Sequence, residues 1–143
     1  MTPRLTLATA TLALACLSGP VLAGPQGASH AAACVAALKA QEADLAASVK
    51  AGEPHEPVLL KVVRSGVAII GTQYLAGLRE GEARELLKAA EHDFQALAPE
   101  DAQLRQSTCL QEGEALYSKA SPLEQSLMSL AAQRRVKRLT TSS

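Results

Sequence analysis

Three histidines, the cysteines Cys34 and Cys109 and 14 acidic side chains are the groups of this chain with chemistry to offer, and their spacing limits it narrowly. His55 lies in a proline-rich stretch beside Glu53 and Glu56, His92 sits between Glu91 and Asp93, and His30 opens an alanine-rich segment. A preformed metal site calls for two histidines four apart or a glutamate three residues before a histidine, and neither pattern occurs. Each histidine therefore reads as an exposed polar residue. A metal is expected only if the fold brings His55, His92 and nearby carboxylates together. No serine occupies a Gly-x-Ser-x-Gly elbow, and the carboxylates are too many for one pair to stand out as general acid and base. Glycine-rich phosphate loops and basic patches with interleaved aromatics are missing too, so the expectation is no enzyme, no cofactor and no nucleic-acid partner.

The cysteines depend on compartment. Residues 1–23 read as an export signal: Arg4 precedes an apolar run over 5–17, Ser18, Gly19 and Pro20 form a turn, and Val21, Leu22 and Ala23 suit a signal peptidase. The run is too short for a membrane span. Cys16 offers a competing route by lipidation, but Ala13 stands where such a signal has leucine, which favours cleavage before Gly24. An exported chain, most simply periplasmic, keeps Cys34 and Cys109, and an even pair in that setting is expected to form one disulfide. The two also lack the Cys-x-x-Cys spacing of redox carriers and haem attachment.

The elements that must position these residues carry helical periodicity. Aromatics are nearly absent (Tyr 2, Phe 1, Trp 0), so alanine and leucine must build the core by close helix packing. After a flexible lead-in over 24–30, Val35, Leu38, Leu45 and Val49 predict a helix over 31–50, stopped at Gly52. A linker with Pro54 and Pro57 follows. The most apolar stretch, 58–79, places Leu59, Val63, Val67, Ile70, Tyr74 and Leu78 along one face, while Val62, Ile69 and Leu75 widen it. It predicts a central helix, with Lys61, Arg64 and Gln73 set against a membrane span. Its β-branched residues also admit a hairpin turning at Arg64-Ser65-Gly66, which helical neighbours disfavour. Gly66 and Gly77, about three turns apart, would let another backbone approach closely.

Gly81 breaks the pattern, and Ala83, Leu86, Leu87, Ala90, Phe94 and Leu97 then predict a third helix. Pro99 opens a fourth with Ala102, Cys109 and Leu116 inward. Ser121-Pro122-Leu123-Glu124 is a capping box opening a fifth that carries Leu123, Leu127 and Leu130, before a tail at 140–143. The expected fold is all-α, a single domain over 24–143 forming a bundle of four to five helices, with Cys34 and Cys109 stapling the first helix to the fourth.

Net charge names no partner: without Arg4, 13 lysines and arginines face 14 acids. The end of the chain is different, because Arg134, Arg135, Lys137 and Arg138 crowd there while acids concentrate over 80–124. Such cations complement a helix macrodipole and the acidic middle. The sharper alternative is contact with an anionic envelope surface, with Val136 and Leu139 adding apolar area. The functional expectation is a non-catalytic exported protein, a binding or structural accessory of the bacterial cell envelope. Its partner would be an unknown envelope protein or an anionic surface, with no transmembrane span in the mature chain. The alternative is a carrier of a small ligand or metal in a cavity between helices.

Overall fold

The computed structural model describes residues 25–141; the segment 1–23 read as an export signal, Cys16 within it, Gly24 and the last two residues lie outside that range. Of the described residues 88% are helical, against the usual third, and none is in a strand. Five helices follow one another: α1 (Pro25–Lys50), α2 (Glu56–Leu75), α3 (Glu80–Gln95), α4 (Pro99–Lys119) and α5 (Pro122–Thr141). Arg64, Ser65 and Gly66 lie inside α2, so the hairpin alternative is not formed.

α1 packs on all four other helices, and α2 on α1, α4 and α5. Two apolar clusters explain that arrangement. In the first, Cys34, Val35 and Leu38 of α1 meet Val62 and Ile69 of α2 and Cys109 of α4. In the second, Ala46 of α1 meets Leu59 and Val63 of α2 and Ala132 and Val136 of α5. α2 thus buries two faces. Each fully buried valine, leucine or isoleucine contributes about 1.5–3 kcal/mol, which outweighs the few tenths that a β-branched residue costs in a helix. α2 is the one described helix long and apolar enough to cross a membrane, and it holds the place of a core helix between α1, α4 and α5.

The α2–α4 contact is closest where Gly113 meets Ser65, since a Cβ built on Gly113 would lie 2.5 Å from the Ser65 Cβ. This corrects the expectation for Gly66 and Gly77. Gly66 has open space around it, and Gly77, at φ 96°, closes α2 instead. The Leu78 amide donates to the Gln73 carbonyl and the Gly77 amide to Tyr74, a Schellman closure, and Gly52 at φ 91° ends α1 the same way. Beside Gly113, the Glu114 carboxylate accepts from Arg64 at 3.0 Å and Ser65 at 3.2 Å, and the Arg64 guanidinium lies 4.3 Å over the Tyr117 ring.

Several boundaries differ from the sequence reading: α2 ends at Leu75 and not at 79, since Gly77 closes it, and α3 ends at Gln95, short of Leu97. α1 starts at Pro25, because buried Ala28, Ala31 and Ala32 continue its apolar spacing toward the Cys34 cluster. Gly81 lies within α3, whose start follows the Gly77 closure. α5 continues to Thr141, where the Thr140 hydroxyl donates back to the Val136 carbonyl. The capping box is formed: the Ser121 amide and hydroxyl both donate to Glu124 Oε2 at 2.7 Å, and the Glu124 amide to Ser121 Oγ at 3.4 Å.

Candidate functional site

Cys34 and Cys109 form the disulfide between α1 and α4, with Cα atoms 5.1 Å apart and both residues buried. One turn before Cys34, His30 Nε2 donates to Glu112 Oε2 at 2.8 Å, and Glu112 stands one turn after Cys109. The Cys34 sulfur lies 3.9 Å from that histidine nitrogen and 3.8 Å from that carboxylate oxygen. His30 is half exposed, so the cluster opens to solvent at its edge. Sequence reasoning missed it because it sought ligand pairs among histidines and carboxylates alone. The available signal was His30 four before Cys34 and Glu112 three after Cys109, on two helices that the cysteine pairing brings together.

The other histidines do not converge. His55 Nδ1 bonds the Ser48 hydroxyl at 2.8 Å and faces Glu53, tying the α1–α2 turn, while His92 lies 3.6 Å from its neighbour Asp93. Among the described residues the one His, Cys and carboxylate triplet whose ligand atoms all lie within 4.8 Å of one another is His30, Cys34 and Glu112, with the Cys34 sulfur held in the disulfide.

The basic end divides between two sides of α5. Arg135 donates to Glu42 at 2.6 Å, a carboxylate buried at the α1 surface, and Arg138 lines a groove between helices. Arg134 and Lys137 are exposed and make no ion pair with a described residue. Val136 and Leu139, expected to supply outward apolar area, belong instead to the second core cluster. The outward apolar residues are Leu123, Leu127 and Leu130, at 70%, 59% and 43% exposure. With Arg134 and Lys137 they step along α5 at intervals of four, three, four and three, which confines all five to an arc of roughly 80°.

A second surface feature lies across α1 and α2. An apolar depression of about 190 Å³ between α1, the end of α2 and α3 adjoins one of about 390 Å³ reaching α5, and Val35, Ile70 and Leu87 line both. Ile70 and Tyr74, placed by periodicity on the inner face of α2, open into this groove. Along it Arg84 pairs with Glu80, Arg135 with Glu42 and Lys39 with Glu91, so the groove is marked by its apolar lining and not by charge.

Fold and site together define a disulfide-stapled all-α bundle with an outward leucine and cation stripe. No protein-family model, curated protein or solved structure matches the chain.

Proposed function

We propose that the protein is a non-catalytic exported accessory of the bacterial cell envelope that seats on an anionic lipid surface through the outer face of α5. The observation that carries this reading is the stripe of Leu123, Leu127, Leu130, Arg134 and Lys137. Leucines in register with cations on one side of a 20-residue helix suit the boundary between acyl chains and headgroups. Protein hot spots favour tryptophan, tyrosine and arginine anchors in pockets, and this stripe offers no aromatic. Each cation contributes about 1 kcal/mol at an anionic surface, so contact is weak, reversible and sensitive to salt.

Co-sedimentation with phosphatidylglycerol vesicles tests it. The mature chain is expected to sediment at low salt, to be released as salt rises, and to stay in solution with phosphatidylcholine vesicles. Replacing Arg134 and Lys137 with Gln, or the three leucines with Gln, is expected to abolish sedimentation without loss of helix content. Equal sedimentation of all three proteins, or of none, contradicts the proposal.

The groove favours a second reading, a carrier for a small amphiphile with an acyl chain along Val35, Ile70 and Leu87. Displacement of a fluorescent anilinonaphthalene probe by a fatty acid, lost in Ile70→Arg, supports it; probe binding unchanged in that variant rejects it.

A further inference from the structure

We infer that the dithiol form of this protein binds a zinc ion at the staple, with Cys34, Cys109, His30 and Glu112 as its four ligands. Oxidised, these helices are joined covalently; reduced, the same positions offer two thiolates, an imidazole and a carboxylate. That donor set suits zinc, which takes sulfur, nitrogen and oxygen ligands in a closed tetrahedron. The spacing places two ligands on each of two facing helices, one turn apart on α1 and one turn apart on α4.

Three of the four ligand atoms, those of His30, Cys34 and Glu112, already stand at distances close to those a tetrahedron needs, while the Cys109 sulfur lies outside that group. Around zinc, ligand atoms at bond lengths of about 2.0–2.3 Å are separated by roughly 3.3–3.7 Å. The present edges are 2.8 Å from histidine to carboxylate, 3.9 Å from sulfur to histidine and 3.8 Å from sulfur to carboxylate. Each changes by about half an ångström or less to meet that range. The larger change is at Cys109, whose sulfur must stand roughly 3.7 Å from that of Cys34 and come within reach of His30 and Glu112, a displacement that side-chain rotation supplies once the bond is open. The exposed edge at His30 provides the entry path.

The chemistry balances without an external reductant for a newly exported chain, which carries two thiols before oxidation. Zinc binding displaces the two thiol protons to solvent. An external protein disulfide then accepts two electrons from the thiolates and becomes a dithiolate, the Cys34–Cys109 bond forms, and zinc leaves with two of its four ligands gone. The oxidised protein retains only His30 and Glu112, too few to hold the ion. This inference rests on the staple and not on the α5 surface, so it stands or falls apart from lipid binding.

The test uses the mature chain reduced with a phosphine under anaerobic conditions and titrated with Co²⁺, then Zn²⁺. The expected result is one cobalt per chain, with thiolate charge-transfer and tetrahedral visible bands that one equivalent of zinc removes. His30→Ala and Glu112→Gln should each weaken zinc by about tenfold or more, and the oxidised protein should show no bands. Circular dichroism covers the case in which reduction unfolds the chain: helicity restored by zinc supports the site, and helicity unmoved by zinc overturns it. Binding that is equal in wild type and both variants overturns it as well, since that is adventitious capture by two thiols.

Discussion

Gly113 is where a single atom matters most, because α2 and α4 meet with no room for a Cβ there. Gly113→Ala should destabilise the fold by about 1–3 kcal/mol, measured as a urea midpoint, and Ser65→Gly in the same chain should not restore it, because the Ser65 backbone oxygen and Cα would lie 2.7 and 2.8 Å from the new Cβ. The basic end yields a similar contrast. Arg135→Gln strands the buried Glu42 carboxylate and should cost on the order of 2 kcal/mol, whereas Arg134→Gln, exposed and without an ion pair, should leave the midpoint within experimental error. At the capping box, the Ser121 hydroxyl and then its amide hold the Glu124 carboxyl below the ordinary carboxylate range. A depressed carboxylate stabilises the fold above its unfolded pKa and loses that contribution as pH falls through the folded value. Carbon-detected titration should therefore place Glu124 low in wild type and higher in Ser121→Ala.

α5 is the element whose orientation the sequence left open. It carries two apolar stripes, Leu123, Leu127 and Leu130 on one side and Ala132, Val136 and Leu139 on another. Side-chain size favours burying the leucines, yet α2 takes the smaller residues because alanine lets the helices approach closely. Triple replacement of the leucines by Gln should accordingly leave thermal stability nearly unchanged, whereas Val136→Ala should lower it by about 1 kcal/mol or more. Where one face has a single apolar stripe, periodicity sufficed: Ala83, Leu86, Leu87, Ala90 and Phe94 all lie half-buried on α3, with Leu97 half-buried just past its end. The turn signals at Gly52 and Ser121 were local and equally legible. The start of α1 was not, since Gly27 and Ser29 suggest a flexible segment while Ala28 and Ala31 belong to the packed face. The His30 and Glu112 cluster needed the cysteine pairing before its spacing had meaning.

At the scale of the whole molecule, one covalent link joins residues 75 apart, and the chain-entropy model gives it at most about 4.5 kcal/mol. Cys34→Ala with Cys109→Ala should lower the melting temperature by on the order of 10–20 °C, and alkylation of the oxidised mature chain without reductant should label neither cysteine. The staple, the two core clusters and the Arg135–Glu42 pair hold α5 with its leucine and cation stripe outward, which is the arrangement the lipid-surface reading requires. The chain has no tryptophan, so Leu127→Trp introduces a single reporter at the centre of the stripe, and Leu75→Trp provides one at the exposed end of α2. The most direct measurement is the emission of these two proteins with phosphatidylglycerol vesicles at low and high salt. The account predicts a blue shift for Trp at position 127 that salt reverses, with none at position 75; no shift at 127, or equal shifts at both, would contradict it.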